Sequence, residues 1–291
     1  MDFRRYSYLI AACGILALAV IIPLEFYFWF VAPKVEPLPG VQVLHPHFFG
    51  NPAVQLDKIR LKAVYVVPQG KTAWPDWKNI FEKALQDDAK FHALQFRNAS
   101  QISFDIFSEP VFLENSAVYY DSNDTNGGNP RGLIAIAQEL ETRLLSPDGD
   151  LYSSEFVGKN PNEYTVLGIL YEGVGAVGGT VYESGTSSSQ KIIKSSKLPE
   201  TIIANARIKD LNNLFLLNRK FLTDMPYNAY GSTLLYHEFA HTIGLPDAYD
   251  EHNAILSGDI MGGSRTEPIS TTYIGDATLR MLGVLPEKYP R

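Results

Sequence analysis

The hydrophobic and polar positions of this chain predict alternating strands and helices from about residue 56 onward. Leu61–Val67 (LKAVYVV) is an apolar, β-branched run of strand length. In Trp77–Phe96, Ile80, Phe81, Ala84, Leu85, Phe91 and Leu94 recur at helical spacing among Lys, Asp and Glu, which predicts an amphipathic helix. Ile102–Phe107 alternates as a half-buried strand, with Pro110 at its continuation, and Arg131–Leu145 repeats the helical pattern until the turn Ser146-Pro147-Asp148-Gly149. Tyr164–Tyr171 reads as a strand. A passage through Gly173, Gly175, Gly178 and Gly179 then leads to Thr180-Val181-Tyr182, followed by a Ser/Lys-rich loop over Ser184–Lys197. Strands and helices in one continuous alternation predict a single α/β or α+β domain over 56–291.

The N-terminal pattern is different. Tyr8 to Ala32 is one apolar stretch interrupted only by Pro23 and Glu25, and it follows Arg4 and Arg5. Its length matches a hydrocarbon core of about 30 Å, and Phe26–Phe30 suits an interfacial aromatic belt. The expectation is a transmembrane anchor over 8–32, with residues 1–7 cytoplasmic and everything beyond residue 33 outside. A cleaved signal peptide is the alternative. Five prolines between Pro33 and Pro52 read residues 33–55 as an extended linker.

Composition narrows the chemistry. With 291 residues, 45% of them hydrophobic, the chain can bury a substantial core. A net charge of −7 argues against a general nucleic-acid binder. The lone Cys13 lies in the apolar run, so neither an intrachain disulfide nor a thiolate metal cluster can form. The glycine passage lacks the Gly-Lys-Ser/Thr of a phosphate-binding loop, and a bend or bulge is the better reading. Asp121, Asn123, Asp124, Asn126 and Asn129 could hold Ca²⁺, but they lack the glycine and distal glutamate of a helix–loop–helix site. A solvated turn is favoured there.

The histidines carry the informative signal. Ser232–Asp250 reads STLLYHEFAHTIGLPDAYD. Ser232 is a suitable N-cap, and nothing breaks the helix before Gly244. His237 and His241 then lie one turn apart on one face, where both imidazoles can reach one Zn²⁺. Glu238, beside the first ligand, can address a water in the open position as a general base. Gly244 can end the helix in the left-handed conformation, and Pro246 forbids its continuation, so Asp247 can return to the same metal. His252 is the rival third ligand. His45, His47 and His92 have no partner at ligand spacing, and their expected role is solvation or local hydrogen bonding.

His237-Glu238-x-x-His241-x-x-Gly244-x-x-Asp247 resembles the extended zinc motif of the metzincin metallopeptidases. The likeness is to the aspartate variant found in snapalysin and the immune-inhibitor-type proteases. Asp259-Ile260-Met261-Gly262 is similar to that family's methionine turn, with Met261 as its methionine, and Thr271–Leu282 has the pattern of its final helix. The resemblance implies an α+β zincin domain: a twisted mixed sheet over an active-site helix, a Met-turn and a C-terminal helix. It also implies one catalytic zinc, protein or peptide substrates, and binding of substrate along an edge strand, for which Gly178–Tyr182 is the candidate. Several metzincins carry a tyrosine two residues after the methionine. Here that position is Gly263, and Tyr249, Arg265 and Tyr273 are the candidates for its role. An exported zinc-binding scaffold without turnover, or a zinc hydrolase of non-protein amides such as cell-wall cross-links, are the competing functions.

Overall fold

A computed structural model describes residues 44–121, 129–144, 163–183, 190–195, 198–204, 213–249 and 255–285. The chain divides into units Met1–Val43 and Leu44–Arg291, and all the described residues belong to the second. The expected membrane segment at 8–32 and the start of the linker therefore lie outside them. Among the described residues, no helix is long and apolar enough to cross a membrane.

The described chain opens with a two-stranded antiparallel hairpin, β1 (His47–Phe48) and β2 (Asn51–Gln55). This corrects the expectation of linker up to residue 55. The hairpin is fastened to the domain by backbone bonds from His47 to Leu282 and from Phe49 to Ile243, both at 3.0 Å. β3 (Lys58–Gln69) then runs for twelve residues, longer than its apolar centre predicts. It leads into α1 (Trp77–Gln95), β4 (Gln101–Ile106), β5 (Val111–Ser116), the single turn α2 (Ala117–Tyr120) and α3 (Pro130–Leu144). β6 (Tyr164–Tyr171), β7 (Ala176–Glu183), β8 (Gln190–Ser195), β9 (Leu198–Ala204) and β10 (Asn213–Asn218) follow. The short α4 (Lys220–Thr223), α5 (Gly231–Thr242) and α6 (Asp276–Met281) complete the fold.

The sheet is mixed, in the order β4-β3-β6-β10-β7-β8-β9, with β5 beside the second half of β3. β3 pairs in parallel with β4, β5 and β6, and β6 pairs in parallel with β10. From β10 onward the pairings with β7, β8 and β9 are antiparallel. Both faces are covered, which explains why β3, β6 and β10 read as nearly continuous apolar runs. Leu61, Ala63, Tyr65 and Val67 of β3 join Phe81 and Leu85 of α1 and Leu235 and Phe239 of α5 in one core. Val64 and Val66 point the other way, into a second core with Leu133, Ile136 and Leu140 of α3.

Three further expectations change. Part of the Ser/Lys-rich stretch is strand, because Lys191–Lys194 pair with Thr180–Glu183 and the ladder takes backbone groups irrespective of side-chain polarity. The same pairing removes Thr180–Tyr182 from the sheet edge, so the expected edge at Gly178–Tyr182 shrinks to its first residues. The C-terminal helix is confined to 276–281, since Gly275 is extended at φ −63°, ψ 146° and holds the N-cap position. Of the proposed Ca²⁺ loop, Asn123, Asp124 and Asn126 lie outside the described residues. Asp121 accepts hydrogen bonds from the Tyr171 hydroxyl at 2.7 Å and Val174 N–H at 2.9 Å.

Candidate metal centre

α5 is buried along nearly its whole length between β7, β10 and α1. Leu235, Phe239 and Ala240 are inserted into the core, and Phe239 meets the Phe215 ring edge-on at 6.2 Å. The N-cap is Tyr230, without a side-chain cap bond, so Ser232 sits inside the first turn instead of capping it. Thr233 ties this turn to the C-terminal segment by donating to Glu267 O at 2.6 Å. Against the helix backbone lies Gly178 of β7. A Cβ there would stand 2.0 Å from Glu238 O, so only glycine lets strand and helix approach this closely.

The helix ends as the sequence predicts. Leu245 N–H bonds Ala240 O and Gly244 N–H bonds His241 O, both at 3.1 Å, which is the Schellman pairing. Gly244 has φ +93°, and the Phe48 ring occupies the space its side chain would need. This turn aims the Leu245 carbonyl back at His241 and carries the chain through Pro246 to Asp247.

His237, His241 and Asp247 are brought together, with one ligand atom from each lying within 4.8 Å of the others. Asp247 Oδ1 is 3.2 Å from His237 Nε2 and 3.4 Å from His241 Nε2. Two donors on a tetrahedral zinc with bonds of 2.0–2.1 Å are separated by about 3.3 Å. The tautomers agree with a metal site. His237 Nδ1 lies 2.9 Å from Ile260 O, and His241 Nδ1 lies 2.7 Å from Leu245 O. A carbonyl can only accept, so both Nδ1 atoms carry protons and both Nε2 atoms face the carboxylate. Two imidazole nitrogens and a carboxylate oxygen converging on one point can share a cation. The donor set, two imidazoles and one carboxylate, suits Zn²⁺.

The electrostatics follow the same geometry. Burial alone would raise the Asp247 carboxyl, but hydrogen bonds from His237 and His241 and their charge hold it far below the usual carboxylate range. Burial pulls His241 down, yet the hydrogen bond to Asp247 and the charges of Glu238 and Asp247 raise it overall. Glu238 is buried beside the donors, and its charge is felt by both His241 and Tyr249.

Tyr249 is the one of the three candidate helpers held directly at the site. Its ring is nearly parallel to His237 at 6.3 Å, and its hydroxyl hydrogen-bonds Asp247. Desolvation, followed by the Asp247 charge, raises its pKa. The Arg265 guanidinium lies over that ring, 4.1 Å from its centroid, and donates to Gly262 O at 2.9 Å. Tyr273 is half exposed, and its role here is a backbone carbonyl accepting from Ile260 N–H. Met261 is buried, and its carbonyl accepts from Ala248 N–H at 2.7 Å, which binds the methionine turn to the loop of Asp247. His252 lies outside the described residues.

Of the two roles expected for His92, solvation and local hydrogen bonding, the structure shows hydrogen bonding, and one of its partners is distant in sequence. His92 is fully buried, bonded to the Tyr236 hydroxyl at 2.9 Å and Ser100 Oγ at 2.7 Å, and burial pushes its pKa down to about 3. No spacing rule could have found these partners, 144 and 8 residues away. The two backbone carbonyls that orient the ligand imidazoles were equally invisible, because any residue type can present one.

The geometry thus defines a buried site of two histidines and one aspartate, with an acid alongside, in a mixed α+β domain. No protein-family model and no curated protein matches the chain. Among solved structures it is similar to catalytically inactive OgpA from Akkermansia muciniphila, crystallised with an O-glycopeptide (glycodrosocin) substrate. That match has a TM-score of 0.40 and 13% identity over 77% of this chain, which spans 60% of that one. It is also similar to archaemetzincin from Methanopyrus kandleri, with a TM-score of 0.35 and 12% identity over 77% of this chain and 94% of that one.

Proposed function

We propose that this chain is a zinc-dependent endopeptidase held to a membrane by residues 8–32, with its N-terminus cytoplasmic and residues 56–291 outside. The observation that carries the catalytic part is the convergence of His237 Nε2, His241 Nε2 and Asp247 Oδ1 beside the buried Glu238. The anchor rests on the sequence pattern alone. Bound at these three donors, zinc supplies Lewis acidity toward water and the scissile carbonyl.

The chain's own residues do the rest. Glu238 accepts the proton of the attacking water and returns it to the leaving amine. The carbonyls of Leu245 and Ile260 hold the imidazoles in the tautomer that offers Nε2. Tyr249 is the donor to the developing oxyanion. Its hydroxyl is already at Asp247, and Arg265 steadies its ring. Substrate backbone pairs with Ala176–Gly179, where no described strand lies on the side of β7 away from β10.

The test is cleavage of casein by the purified full chain, with and without a chelator, alongside Glu238→Gln. Chelator-sensitive, zinc-restored cleavage that Glu238→Gln lacks is expected. Zinc uptake without any hydrolysis would favour a scaffold, and hydrolysis of cell-wall amides but not casein would favour the second competing function.

A further inference from the structure

The peptide unit between Ile260 and Met261 has a polar partner at each end. Its carbonyl accepts from His237 Nδ1 at 2.9 Å. Its N–H, on the opposite side of the same planar amide, donates to Asp259 Oδ1 at 3.1 Å. Asp259 is 4% exposed, and its carboxylate is fully engaged. Oδ1 also accepts from the Ser257 hydroxyl at 2.6 Å, and Oδ2 accepts from Gly275 N–H at 3.0 Å. Ser257 Oγ in turn accepts Asp259's own N–H at 3.1 Å. The acid therefore clamps the methionine turn to the start of α6 while facing the amide that orients the first ligand.

We propose that Asp259 is a positioning residue for the metal, acting on His237 through the Ile260–Met261 peptide; this rests on the zinc reading above. A carboxylate accepting from an amide N–H increases the negative charge on that amide's oxygen, since hydrogen bonds in a chain polarise one another. The Ile260 carbonyl becomes a stronger acceptor, and His237 becomes a better donor through Nε2. Carboxylates that contact a ligand imidazole directly have the same effect, and their loss typically costs 10–100-fold in metal affinity. Here one peptide plane is interposed. The clamp also fixes the direction of that carbonyl, because its far end is bound to a buried group with no freedom to rotate.

The experiment uses the full chain with ¹⁵N-labelled histidine, wild type and Asp259→Asn. Imidazole spectra are read first on metal-free protein, so the link is judged even if zinc uptake, and with it the proposed function, fails. Wild type is expected to show His237 as the Nδ1–H tautomer with a slowly exchanging proton. Asp259→Asn should move that proton upfield and speed its exchange. In competition with a chelating dye, the variant should bind zinc at least about tenfold more weakly, with His241 resonances little changed. A folded Asp259→Asn with unchanged His237 resonances and unchanged zinc affinity would overturn the proposal. If the variant does not fold, the wild-type spectrum decides: a rapidly exchanging His237 Nδ1–H, or the opposite tautomer, overturns the link. A slowly exchanging Nδ1–H together with a protected Met261 amide supports it.

Discussion

In the proposed function, Glu238 and Asp247 separate catalysis from coordination at the level of single residues. Glu238 stands beside the three converging donors and is not among them. Glu238→Gln should therefore keep bound zinc and the fold while lowering turnover by about 10²-fold or more, the range for losing a general base. Metal analysis on the inactive variant checks this, and zinc lost in step with activity would refute it. Asp247→Ala should release zinc, because among the described residues Asp247 is the one carboxylate in the cluster. His252→Ala should leave metal content unchanged. The expectation follows from the Gly244 turn, which delivers Asp247 to the histidines. Much of this centre was legible in the sequence, since helical periodicity and one glycine-proline turn are local devices that fix where the ligands point. The supporting carbonyl of Ile260 and the clamp at Asp259 were not, as they depend on which loop the fold brings beneath the helix.

Among the elements, the contact of β7 with α5 is the one on which the site depends most. Gly178 lets the strand lie against the Glu238 peptide, and a Cβ there has only 2.0 Å to Glu238 O. Gly178→Ala should cost about 2 kcal/mol through overpacking and depress activity beyond what that loss of stability explains, because the displaced backbone carries the general base. Denaturant unfolding together with kinetics at saturating zinc measures the two effects. The elements that went unread share a physical cause. β10 is a six-residue strand, NLFLLN, whose four apolar residues are too few to tell a buried strand from a helix by periodicity. β8 is rich in Ser and Lys and is a strand because β7 and β9 satisfy its backbone. The β1–β2 hairpin was hidden by its prolines, yet Phe48 packs against Gly244 and Phe49 N–H satisfies Ile243 O at the end of α5.

At the scale of the whole molecule, α1 joins the sheet to α5 through buried polar groups, and this makes stability depend on pH. His92 takes its proton at about 3 in the folded protein, against 6.5 for a free imidazole. The unfolded chain binds that proton first, so the stabilisation is complete above about pH 6.5 and is lost as pH falls toward 3. Burial, and then the neighbouring Asp87 charge, raise the carboxyl of Asp88, one turn before His92 on α1, well above its usual range. Its contribution has the opposite slope, with stability falling as pH rises above the ordinary carboxyl range. His92→Gln should flatten the acid side of a melting-temperature profile, and Asp88→Asn should raise the melting temperature more at pH 8 than at pH 4. The central claim, that one zinc at His237, His241 and Asp247 drives peptide hydrolysis, is tested most directly by titrating zinc into metal-free full-length protein while following peptide cleavage. Cleavage should rise in proportion to zinc bound and saturate at one equivalent per chain, with Glu238→Gln binding the same equivalent and cleaving at least about a hundredfold more slowly. Hydrolysis by the metal-free chain, or saturation without any cleavage, would contradict it.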